Sequence, residues 1–217
     1  MLELLLATVL LASGTPPLIL TAGEGSMHWI KSSNLPRNGW YGLFDDDKNR
    51  AYLRRTRITI LKEEPLSGGS AITVDSVPGG AFVLFHGVPA ISEHEVTPAL
   101  WDDPNVDMLR SGEEVRLHLG KRLYTIVLHE SGPSHGTAEV ELRDGERSQT
   151  LFRMSGSGDG PHCEILWAGD LDGDGKLDLL VTLSDKYSAF PRQLLLSGSA
   201  HKGELVHEVA HFNDVSC

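Results

Sequence analysis

Apolar and polar residues alternate along much of this chain with a period of two, the pattern of strands that put one face into a core and the other into water. The alternation is clearest in the middle, over 115–119, 122–129, 137–143 and 148–154. Gly120-Lys121, the glycine- and proline-bearing segment 132–136, and Asp144-Gly145 separate these runs, and each is a hairpin signal. Upstream, 52–61, 71–75, 81–86 and 93–100 also read as strands, divided by Pro65, Gly68-Gly69, Pro78-Gly79-Gly80 and Pro89. Helical periodicity is scarce, and 104–109 has room for one turn. The pattern predicts an all-β protein of antiparallel meander or sandwich-like sheets.

Towards the C-terminus the pattern changes. Residues 164–168 enter, and 178–183 leave, a segment that is neither strand nor ordinary turn: Asp170-Leu171-Asp172-Gly173-Asp174-Gly175-Lys176-Leu177-Asp178. Four carboxylates alternate with other residues around two glycines, the donor spacing a hard cation requires. Asp170, Asp172, Asp174, the Lys176 carbonyl and Asp178 fall at loop positions 1, 3, 5, 7 and 9, with Gly175 at the bend, and the predicted ion is Ca2+. An EF-hand needs an acidic residue at position 12 and flanking helices. Position 12 is Val181 and the flanks read as strands.

The phrase from Gly169 to Val181 resembles the calcium loop of FG-GAP/VCBS-type repeats, the hairpins of integrin-like β-propeller blades. The resemblance extends through Gln193-Leu194-Leu195-Leu196-Ser197 and Gly203-Glu204-Leu205-Val206, covering about 163–212. It implies a blade-like unit in which the ion staples a hairpin and takes no part in chemistry. A whole propeller needs at least four four-stranded blades, and no second loop of this kind occurs in 217 residues. The expected organisation is a signal-like segment over 1–25, an antiparallel β domain over 26–155 and the calcium unit over 156–217. The last two are separated by the Ser/Gly-rich joint 155–161 or continuous with one another.

Charge narrows the partners. A net charge of −11 argues against nucleic acid, which demands clustered Lys and Arg; the short run Arg54-Arg55-x-Arg57 reads as the solvated face of a strand. The apolar run 4–12 has the length of a secretory h-region and is too short to span a bilayer, though Glu3 stands where basic residues are usual. It predicts export, to the periplasm or beyond, with cleavage between Ala12 and Gly25, and no integral membrane anchor. The two cysteines, Cys163 and Cys217, suit one disulfide in an exported chain, worth ~4 kcal/mol in the chain-entropy picture.

One motif suggests an enzyme. His207-Glu208-Val209-Ala210-His211 matches H-E-x-x-H, in which a helix brings two histidines to one Zn2+ with the glutamate as general base. In a strand the two histidines stand ~13 Å apart, and 204–212 reads as a strand. Other adjacencies, Ser134-His135 and Ser92-Glu93-His94, are expected by chance among ten histidines, and Trp29, Trp40, Tyr41 and Trp101 suit a core as well as a glycan or peptide surface. The sequence thus predicts a non-enzymatic binding or envelope-associated module with one structural Ca2+ and a protein or glycan partner; the alternative is a zinc-dependent hydrolase using the HEVAH segment.

Overall fold

The computed structural model describes residues 16–23, 27–45, 50–66, 69–104, 106–131, 137–154, 162–184 and 189–215. These form strands almost throughout: β1 (Leu18–Thr21), β2 (Trp40–Asp45), β3 (Ala51–Leu66), β4 (Gly69–Val77), β5 (Ala81–His86), β6 (His94–Pro98), β7 (Leu100–Trp101), β8 (Met108–Leu109), β9 (Glu114–Leu119), β10 (Arg122–Ser131), β11 (Thr137–Asp144), β12 (Arg147–Met154), β13 (His162–Asp170), β14 (Asp178–Ser184), β15 (Ala189–Leu196) and β16 (His207–Val215). The one helical element among the described residues is the 3-10 turn Ser32–Asn34. The protein is all-β, and its strand pairs are antiparallel.

Two sheets make up the molecule. The larger runs β1-β5-β2-β3-β6-β13-β14-β15-β16, with β4 and β8 added beside β3 and β13, and the smaller runs β12-β11-β10-β9-β7. Because β1 lies against β16, the larger sheet returns on itself as a nearly closed, barrel-like ring. The edge strands β1 and β16 thereby cover one another, although no ladder pairs them among the described residues. The acidic loop leaves this ring at Asp170, the last residue of β13, which pairs with Thr97 of β6.

Strand β14 explains the unbroken apolar run that follows the loop. Leu179, Val181 and Leu183 pack with Leu117, Ile126 and Val140 of the smaller sheet. Leu180, on the opposite face, packs with Ile19, Leu43 and Phe85 inside the ring. All seven residues of β14 are buried, so alternation disappears where both faces meet a core. A Leu to Ala change at such a site costs ~2–5 kcal/mol.

Several expectations need correction. Among the described residues of 104–109 none is helical; Met108 and Leu109 form β8 and pair with Glu164 and Cys163. The strand expected over 93–100 divides at Ala99, so that β6 joins the ring and β7 joins the smaller sheet. The strand expected from Glu204 begins at His207, since the chain between Leu196 and His207 is a turn. Leu18–Thr21, within the signal-like segment, is a strand with Ile19 and Leu20 fully buried; residues 1–15 lie outside the described residues. Trp40 is core, its indole N–H donating to the Pro36 carbonyl at 2.7 Å. No described helix is long and apolar enough to cross a membrane.

The expected bond between Cys163 and Cys217 is not found. Cys163 carries a free thiol, fully buried in the core against the smaller sheet, and Cys217 lies outside the described residues. Burial pushes the Cys163 thiol up to about 12, which leaves almost no reactive thiolate at neutral pH. Alkylation of the native protein at pH 8 should leave Cys163 unmodified by mass spectrometry, and alkylation after denaturation without reductant should modify it. A Cys163 that stays unmodified until a reductant is added would contradict the free thiol.

Candidate metal centre

The loop between β13 and β14 turns at Gly173 and Gly175, whose φ angles of 82° and 77° lie in the left-handed region that glycine adopts without strain. The backbone then folds around its own carboxylates. Asp170 accepts the Gly173 amide on Oδ1 at 2.9 Å and the Gly175 amide on Oδ2 at 3.0 Å. Asp172 Oδ1 accepts the Asp174 amide at 3.2 Å, and Asp174 Oδ1 accepts the Lys176 amide at 2.9 Å. The result brings one oxygen each from Asp170, Asp172 and Asp174 within 4.8 Å of one another. Oxygens on opposite sides of a Ca2+ are ~4.6–5.2 Å apart, so one ion reaches all three.

Asp178 is arranged differently. Its side chain is fully buried, with Oδ2 accepting the amides of Leu171 and Asp172 at 2.6 and 3.0 Å. Its Oδ1 accepts the Ser197 amide at 2.7 Å and the Ser197 hydroxyl at 2.9 Å. In this structure Asp178 closes the base of the loop through three amides and the shared Ser197 hydroxyl, outside the group formed by the other three carboxylates. Lys176 contributes a counter-charge: its ammonium lies 2.8 Å from Asp174 Oδ2, at a partly exposed position.

The turn after β15 completes the enclosure. The Ser197 hydroxyl shares its one proton between Asp178 Oδ1 and Asp174 Oδ1, 2.8 Å away, and the Gly198 amide donates to Asp172 Oδ2 at 3.0 Å. A Cβ on residue 198 would collide with Asp172 Oδ2, so the absence of a side chain lets the two segments approach. Ser197 and Gly198 are the loop residues that sequence spacing misses. They lie 19 to 26 positions from the carboxylates they hold, and the pairing of β14 with β15 brings them there.

Electrostatics follow from this crowding. Burial first, then the charges of Asp174 and Asp170, raises the Asp172 carboxyl above its ordinary value. Burial pushes Asp178 up to about 7, opposed by the amides and hydroxyl that bind its ionised form. Asp174 is lowered, the bonds from Lys176 and Ser197 outweighing its burial. Negative charge at Asp172 and Asp178 is therefore incompletely compensated by the protein. The donor set fits a hard cation: a carboxylate has about four lone-pair sites, and each oxygen of Asp170 and Asp172 accepts one bond.

The two HEVAH histidines do not converge on a common site. They lie in β16, and a bulge between Leu194 and Leu195 sets His207 opposite Leu196 but His211 opposite Gln193. Those partners are three residues apart and face opposite ways. His211 pairs with Glu208 at 2.9 Å, whereas His207 turns to Glu204 at 3.1 Å.

Comparison with known protein families, with characterised proteins and with solved structures finds no match to this chain.

The carboxylates should separate by role under mutation. Asp178→Ala leaves the amides of Leu171, Asp172 and Ser197 without their acceptor, at ~1–3 kcal/mol per orphaned buried group, and should destabilise the protein even with a calcium chelator present. Asp172→Asn should cost much less under the same conditions. Gly198→Ala should displace the Asp172 carboxylate and weaken calcium binding, with little change in the chelated protein's melting temperature. Titration calorimetry and thermal melts of the three variants check these outcomes.

Proposed function

We propose that this protein is a non-enzymatic β-rich binding module in which the loop between β13 and β14 takes one Ca2+ as a structural ion. The observation that carries the reading is the convergence of Asp170, Asp172 and Asp174 within 4.8 Å, on a turn whose amides already orient each carboxylate. Once bound, the ion would neutralise charge that Lys176 offsets only in part, and would tie the loop to the Ser197-Gly198 turn. Asp170, Asp172 and Asp174 would supply carboxylate ligands, with the Lys176 carbonyl and Asp178 as the further donors that loop spacing suggests.

The likeness to an FG-GAP/VCBS blade gains support from β13, β14, β15 and β16, four antiparallel neighbours in chain order with the acidic loop between the first two. Here that unit continues into a larger ring instead of standing as one blade among several. Export is part of the proposal, motivated by the apolar run 4–12. Cleavage that spares the buried strand β1 falls before Leu18. The partner class that suits such a module is a protein or glycan.

Melting in calcium and in chelator tests the ionic staple. With Ca2+ at a hundred times its dissociation constant, linkage gives ~2.7 kcal/mol, a rise in Tm of about 5–10 °C for a chain of this size. Asp172→Asn should abolish the rise. An unchanged wild-type Tm would remove the basis of the proposal.

A further inference from the structure

The turn that caps the acidic loop carries a second convergence of donors at its other end. His201 Nδ1 lies 3.1 Å from Glu204 Oε2 and 3.1 Å from His207 Nδ1, and His207 Nδ1 lies 3.1 Å from the same Glu204 oxygen. The three atoms form an equilateral triangle. Protons do not satisfy this arrangement well: if both Nδ1 atoms carry hydrogen, two donors face each other, and if one does not, its lone pair faces those of the carboxylate. A cation above the triangle takes all three lone pairs at once.

The dimensions suit a small transition metal. A Zn2+ placed ~2.05 Å from each donor sits ~1 Å above the plane with ligand–metal–ligand angles near ~98°, close to a tetrahedral face. Two imidazoles and one carboxylate are the donors that Zn2+ and its neighbours in the first transition row prefer, whereas Ca2+ prefers oxygen alone. We propose that His201, Glu204 and His207 form a transition-metal site, occupied by Zn2+, with a fourth position left for water or a ligand donor.

The site is preorganised by its backbone. The His201 amide donates to Glu204 Oε2 at 2.9 Å and the Glu204 amide to the His201 carbonyl at 3.0 Å, locking the turn. Gln149 of β12 then clamps the next two residues, its Oε1 accepting the Leu205 and Val206 amides and its Nε2 donating to the Val206 carbonyl. Leu205 and Val206 are buried in the core beneath. The donors also have access to solvent, with side chains 68%, 34% and 39% exposed for His201, Glu204 and His207. His201 and Glu204 border a cleft of about 170 Å3 that Asp144, Arg147 and Lys176 also line.

Cobalt substitution tests this directly. Metal-stripped full-length protein is titrated with Co2+ in excess Ca2+, followed by its visible absorption and by displacement with Zn2+. One Co2+ per chain should bind with the intense bands of low-coordinate geometry, and Zn2+ should displace it. His201→Ala and His207→Ala should each weaken binding by about a hundredfold or more, beyond what loss of a supporting residue does; His211→Ala and Asp172→Asn should leave it unchanged. Circular dichroism establishes that the variants remain folded. Absence of saturable binding, binding that survives both histidine changes, or binding lost equally in His211→Ala would overturn the site. Retention in Asp172→Asn keeps the result independent of the calcium loop.

Discussion

Four carboxylates within nine residues repel one another, and the C-terminal half of the fold is organised around containing that repulsion. The loop answers with its own amides, which point inward because Gly173 and Gly175 let the chain turn. The next turn answers with the Ser197 hydroxyl and the Gly198 amide, delivered by the pairing of β14 with β15. Burial raises the energetic stake, since a charge removed from water must be compensated locally. What the amides and Lys176 do not offset, a divalent cation would.

That local problem is tied to the whole molecule through β14. The strand begins at Asp178, the carboxylate that closes the loop, and continues as residues buried on both faces. One face meets the smaller sheet and the other meets the interior of the ring. Disorder in the loop would loosen Asp178 and with it the start of the most buried strand. A metal acting through the loop would therefore stabilise the packing of both sheets, as a metal-dependent fold requires.

Much of this was legible in the sequence. The hairpins from Glu114 to Met154 were plain because one face of each strand is solvated and Gly120 and Asp144-Gly145 mark the turns. The acidic loop was plain because its donors are contiguous. Less visible were β1, hidden in an apolar proline-flanked segment that also suits a secretion signal, and β2, where Gly42 and three aromatic residues blur the alternation. Ser197 and Gly198 carry no local signature of their role. The HEVAH motif drew attention to His211, yet the bulge in β16 turns His207 toward the preceding turn and the partners His201 and Glu204. Motif spacing assumes a backbone, and here the backbone is a bulged strand.

The proposed staple rests on one equilibrium, the binding of a single calcium ion by the Asp170–Asp178 loop. Isothermal titration of metal-free protein with Ca2+, with Mg2+ as the comparison, measures it most directly. Expected are one Ca2+ per chain, weaker binding of Mg2+ and loss of the calcium heat in a chain carrying Asp170→Asn and Asp172→Asn. A full calcium isotherm in that double variant, or none in the wild type, would contradict it.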